Sequence, residues 1–137
     1  AMGDAEAAQR QYALVGAMQR LFQAQGADVD LELALFEADH GDAARAVELA
    51  RAAYARRPGI RGAKTLAWAL HRAGQSDAAR PLIEEALRLG TQDATLLARA
   101  GLIARAQGDA AAAEAFLAQS AAVSPHLPPL LAQEVGR

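Results

Sequence analysis

The residues best suited to recognition chemistry fall in two stretches. Arg61, Lys64, Trp68, His71 and Arg72 recur at a spacing that brings side chains to one side of a helix. Arg99, Leu102 and Arg105 do the same further along. Guanidinium forks pair carboxylates at two points, and an indole is a rigid apolar anchor. The set therefore fits a protein segment that is acidic or bears a carboxylate. The competing reading makes Trp68 core packing and the arginines a solvated face.

Other chemistry finds little support. His40, His71 and His126 never stand at i, i+4, and no carboxylate cluster completes a metal-ligand set. Ser76, Ser120 and Ser124 have no base arranged near them in sequence; Ser76 reads as a helix cap. There is no cysteine nucleophile, and the glycines sit singly instead of forming a phosphate-binding loop. We expect no catalytic residues, no metal and no cofactor. From Asp28 to Asp42 there are six acids (Asp28, Asp30, Glu32, Glu37, Asp39, Asp42) and no Lys or Arg. This run fits a solvated helix start, an ion-pair partner for Arg61 or Arg72, or a contact with a basic partner.

Composition narrows what must hold these residues. Of 137 residues, 38 are alanine and only 4% are aromatic, which favours helix and excludes an all-β fold. No apolar run is long enough to span a membrane. A net charge of −2 argues against a nucleic-acid partner. Thirteen Arg to one Lys, with the alanine, suggests a GC-rich bacterial gene. The compartment stays open: cytoplasmic, or exported if a leader has been removed. Ala1-Met2 reads as a cloning remnant.

An internal repeat sets the architecture. Gly3-Asp4-Ala5, Gly41-Asp42-Ala43 and Gly108-Asp109-Ala110 share a pattern, and Gly74-Gln75-Ser76-Asp77 is a looser copy. The steps between these glycines are 38, 33 and 34 residues. Seven residues before the glycine sits a small side chain (Ala34, Ala67, Gly101), and twelve after it Ala53, Ala86 or Ser120. Pro58 and Pro125 follow at seventeen. Each position has a physical reason. Glycine leaves a helix in the left-handed region, the aspartate caps the next helix, small residues let two helices approach, and proline stops the second one. The predicted unit is helix, tight turn, helix. The pairs fall at about 28–40 with 42–57, 60–73 with 76–89, and 92–107 with 109–123. Pro81 falls inside the second helix of the middle copy, where it removes a hydrogen bond.

This small–glycine–alanine–alanine–proline spacing resembles the tetratricopeptide repeat (TPR) family, over nearly the whole chain. The middle copy departs from it with Thr91 in place of proline, and the family's early tryptophan is replaced by Asp30, Ala63 and Leu97. The resemblance implies an all-α fold: a right-handed superhelical α-solenoid of antiparallel helix pairs. Residues 1–26 would be the second helix of an incomplete repeat, followed by repeats at 27–59, 60–93 and 94–127 and a capping segment at 128–137. The short helix from Pro128-Pro129 to about Val135 should cover the end of the stack.

The resemblance also implies a non-catalytic interaction module that holds a peptide in a concave groove lined by the first helix of each pair. Its partner-binding residues would be Arg61, Lys64, Trp68, His71, Arg72, Arg99, Leu102 and Arg105. In chaperone-binding members, lysines, asparagines and an arginine clamp a peptide carboxylate. Arg99 matches that arginine, but Leu35 and Thr65 replace the asparagines, so recognition here should differ. Alternatives are a structural array that self-associates, or the regulatory arm of a larger protein or enzyme. Helix 4–25, lacking a preceding partner, would expose apolar surface and could form a homodimer.

Overall fold

A computed structural model of the chain describes residues 5–11, 13–14, 26–89 and 93–137. All the regular structure among them is helical. The leading helix, α1, is described at residues 5–11 and 13–14, all of them exposed. Then follow α2 (Gly26–His40), α3 (Ala43–Arg56), α4 (Ile60–Arg72), α5 (Ser76–Leu89), α6 (Ala94–Ala106), α7 (Ala110–Val123) and the short α8 (Pro129–Val135). These bounds lie within a few residues of those the sequence predicts. Helical spacing predicts an apolar stripe of Ala8, Tyr12, Val15, Met18 (or Gln19) and Phe22; Ala8 is exposed, and the others lie outside the described residues.

The closest packing is between helices joined by the repeated turns: α2 with α3, α4 with α5, α6 with α7. Successive pairs join through α3 on α4 and α5 on α6, and alternate helices also touch, α2 with α4 and α4 with α6. The small residues of the repeat make this close approach possible. Ala34, Ala53, Ala67 and Ala86 are wholly buried, and Ser120 nearly so. At Gly101 a β-carbon would fall 2.8 Å from Leu117 of α7, and at Gly62 2.8 Å from the Tyr54 ring. Ser120 Oγ donates to Ala94 O at 2.7 Å, satisfying a buried hydroxyl across the α6–α7 pair. Tyr54 of α3 reaches Glu85 of α5, donating at 2.9 Å. That bond raises the phenol's pKa above its usual value, because ionisation would set two anions together.

The turns are of two kinds. Gly74 and Gly108 both have φ +81°. Gln75 N donates to Leu70 O (2.8 Å) and Gly74 N to His71 O (3.0 Å). Asp109 N to Ala104 O (2.9 Å) and Gly108 N to Arg105 O (3.0 Å) repeat the arrangement. This paired capping of the last carbonyls requires a left-handed residue. Gly41 departs from the expectation: its φ is not positive. There the Glu37 carboxylate accepts from Asp42 N at 2.9 Å, taking over the role of the backbone carbonyl. Gly41 leaves room for it, since a β-carbon would sit 2.4 Å from Glu37 Oε2. Asp42, Asp93 and Asp109 then cap α3, α6 and α7 as N-terminal acceptors. Pro81 is accommodated within α5, which runs unbroken through it.

Candidate functional site

The predicted recognition residues divide into two groups along α4. Arg61 is exposed near the start of the helix, beside a small cavity of about 220 Å³ lined also by Leu31, Pro58 and Ile60. Lys64 is half-buried. Trp68, His71 and Arg72 lie toward the other end, about 10 to 16 Å along the axis from Arg61 at 1.5 Å per residue. The strip expected on α4 thus has two ends, the exposed Arg61 with its cavity and the cluster from Trp68 to Arg72, which begins one turn beyond Lys64.

The second end is the built one. Trp68 is only 2% exposed, so it is not the open anchor that groove binding predicts. Its Nε1 donates to Asp39 Oδ1 of α2 at 2.9 Å. Arg72 and Arg99 place their guanidinium carbons 5.3 and 4.9 Å from the indole ring centre, within cation–π reach. His71 stacks obliquely on the indole, ring centres 5.1 Å apart, with Nδ1 3.0 Å from Ser76 Oγ. Ser76, expected as a cap, positions this imidazole instead. Burial lowers the His71 pKa; Glu134 raises it and Arg72 lowers it by lesser amounts. Leu102 is buried as well.

The chain's own α8 lies on this face. Leu131 is buried in the main core cluster, with Leu127 and Val135 packed against it. Glu134 Oε1 accepts from Arg72 Nη1. Arg105 donates from Nη1 to Glu134 O (3.2 Å) and from Nη2 to Val135 O (3.3 Å). Arg72 also donates from Nε to Ala38 O at 3.1 Å and lies 3.9 Å from Asp39. α8, expected to cover the end of the stack, lies on α6 of the last helix pair. Its one buried leucine and its glutamate draw it onto α6 and across to Arg72 of α4. Neither Leu131 nor Glu134 stood among the predicted site residues. The available signal was an apolar residue and a carboxylate one helical turn apart, facing arginines that needed acceptors.

The seat beneath α8 is not filled. A cavity of about 310 Å³ is lined by Asp39 and His40 of α2, Trp68 of α4, Arg99 of α6, and Pro128, Leu130 and Glu134 among others from the C-terminal segment. Three first helices of the repeat thus border one hollow. Arg99 Nε is shut off from solvent and has no hydrogen-bond partner. Burial pulls the Arg99 pKa down from the ordinary arginine value, with Asp39 and Asp93 opposing.

Four acids of the run are used internally. Asp30 pairs with Arg56, Glu37 and Asp42 build the first turn, and Asp39 holds Trp68 and Arg72. An apolar line on α2 remains open: Val29, Leu33 and Phe36 are exposed, Phe36 to 58%. Among the described residues no group of three His, Asp or Glu is placed to hold a metal ion, and no helix is long and apolar enough to cross a membrane. No protein-family model matches the chain, and no curated protein matches it.

Proposed function

We propose that the chain is a non-catalytic protein-binding module of TPR type, its helix pairs stacked as a right-handed α-solenoid and its first helices forming the binding face. Three observations support the architecture: the recurring period, the buried small residues at equivalent positions, and the shared hollow of α2, α4 and α6. The binding reading rests on one observation above all. Arg72 and Arg105 gather on a short helix that offers a buried leucine, a carboxylate and two main-chain carbonyls near its end. That is the set of groups a partner segment would present.

The test is a peptide library displayed on phage and panned against the chain. Enriched sequences should carry an apolar side chain and a carboxylate one turn apart, and an Arg72→Ala chain should lose at least tenfold of their retention. No enrichment over that variant would overturn the reading. The second reading, self-association, is favoured by the open Val29, Leu33 and Phe36 line. It predicts a dimer in sedimentation that Phe36→Ser abolishes.

A further inference from the structure

The proposal here rests on the binding reading above and names the partner's chemistry. α8 has seven residues and one buried side chain, Leu131. It leaves about 310 Å³ empty beneath it and a buried Arg99 Nε without an acceptor. Both defects cost free energy: the cavity wall loses dispersion contacts, and a buried donor loses the hydrogen bond it had in water. Its remaining hold is the partly buried Val135, with Leu127 just before the helix, and three arginine contacts, two of them to main-chain carbonyls that any helix end would supply. An irregular stretch, 124–128, joins it to α7.

We infer that α8 is a replaceable occupant of this face, holding it against a helical segment of a partner protein that fits better. That segment carries a bulky apolar side chain in the place of Leu131 and a carboxylate one turn later in the place of Glu134. It adds what α8 lacks: a side chain that fills the cavity beside Trp68 and an acceptor for Arg99. Charge complementarity favours an acidic segment, because Arg72, Arg99 and Arg105 all come from the two helices beneath it.

The experiment uses the full chain and a fluorescein-labelled peptide of its own residues 124–137, read by anisotropy. Glu134→Lys removes α8's pair with Arg72 and leaves the apolar core intact. This variant should bind the peptide at least tenfold more tightly than the unaltered chain. Adding Arg72→Glu re-pairs the chain's own α8 with reversed charges and opposes the peptide's glutamate, so binding should fall back by tenfold or more. A peptide with Leu130→Trp, aimed at the cavity, should bind more tightly than the native one.

Amide hydrogen exchange of residues 128–135 reports whether α8 has left its seat. Should Glu134→Lys leave it protected, Leu131→Ala takes its place. A folded chain with α8 released that binds no peptide overturns the inference and the binding reading together. Equal binding by the unaltered and Glu134→Lys chains, lost only when Arg72→Glu is added, overturns only the replacement, since the face would then be open already; equal binding by all three overturns the site itself. A released variant that runs as a dimer, with α8 exchanged between copies, overturns the separate partner.

Discussion

α6 is packed on one side by α7 and on another by α8, and the two contacts are built differently. Against α7 it presents Gly101, with Leu117 where a β-carbon would go, and the Ser120 hydroxyl is matched to a carbonyl. Against α8 it presents Arg99 and Arg105, an unfilled cavity and an unmatched Nε. The first contact follows the rules of a permanent core, with small residues, close approach and satisfied polar groups. The second resembles a binding site holding an imperfect ligand. Both come from one helix of thirteen residues, so the contrast lies in the faces and not in the element.

Substitutions can break this contrast or sharpen it. The largest effect is expected in the dry core: Ile103→Ala, at a fully buried position, should cost about 2–5 kcal/mol in urea unfolding. Leu131→Ala should cost less, about 2 kcal/mol, because its site already borders a cavity and can relax. An equal or larger loss at Leu131 would make α8 part of the permanent core. Gly101→Ala should cost about 1–2 kcal/mol by pressing on Leu117 and the Ala113 carbonyl, with no change in peptide binding.

A pH titration probes the second face. Because burial lowers the His71 pKa below 6.5, its neutral form is favoured when folded. The unfolded chain therefore binds the proton first as pH falls. The His71 contribution is complete above about pH 6.5 and is lost as pH drops through the lowered value. His71→Gln should flatten that part of the stability–pH curve; an unchanged curve would mean the imidazole is freely protonated in the folded state. The smallest effect on stability is expected from Arg99→Met. It removes a buried, unmatched donor, so unfolding should stay within about 0.5 kcal/mol or shift upward. Binding of the 124–137 peptide to the Glu134→Lys chain should be unchanged, since α8 leaves Arg99 unused, whereas a library-selected peptide that supplies an acceptor should bind more weakly.

The turns show how far local reasoning reaches. At Gly74 and Gly108 the expected left-handed exit is present, because nothing nearby competes with the backbone's own capping bonds. At Gly41 the same glycine serves a different end: Glu37, four residues earlier, supplies a carboxylate that replaces the carbonyl. One acidic side chain within reach changes the solution, and a spacing pattern does not register that. The candidate site is similar. Arg72, Arg99 and Arg105 were visible as residues on the first helices, whereas Arg61 was grouped with them because helical spacing ignores distance along the axis.

What the amino-acid order determined alone was periodic: helix lengths, turns, caps and the small residues where helices cross. These depend on contacts a few residues apart or on a repeat that copies one solution. The tertiary structure decided where α8 lies. It also decided that Trp68 is buried beside a hollow bordered by three helices, and that Arg99 has no acceptor. Those outcomes depend on groups far apart in sequence, such as Arg72 and Glu134, meeting through the sum of several helix crossings, and no local pattern encodes that sum.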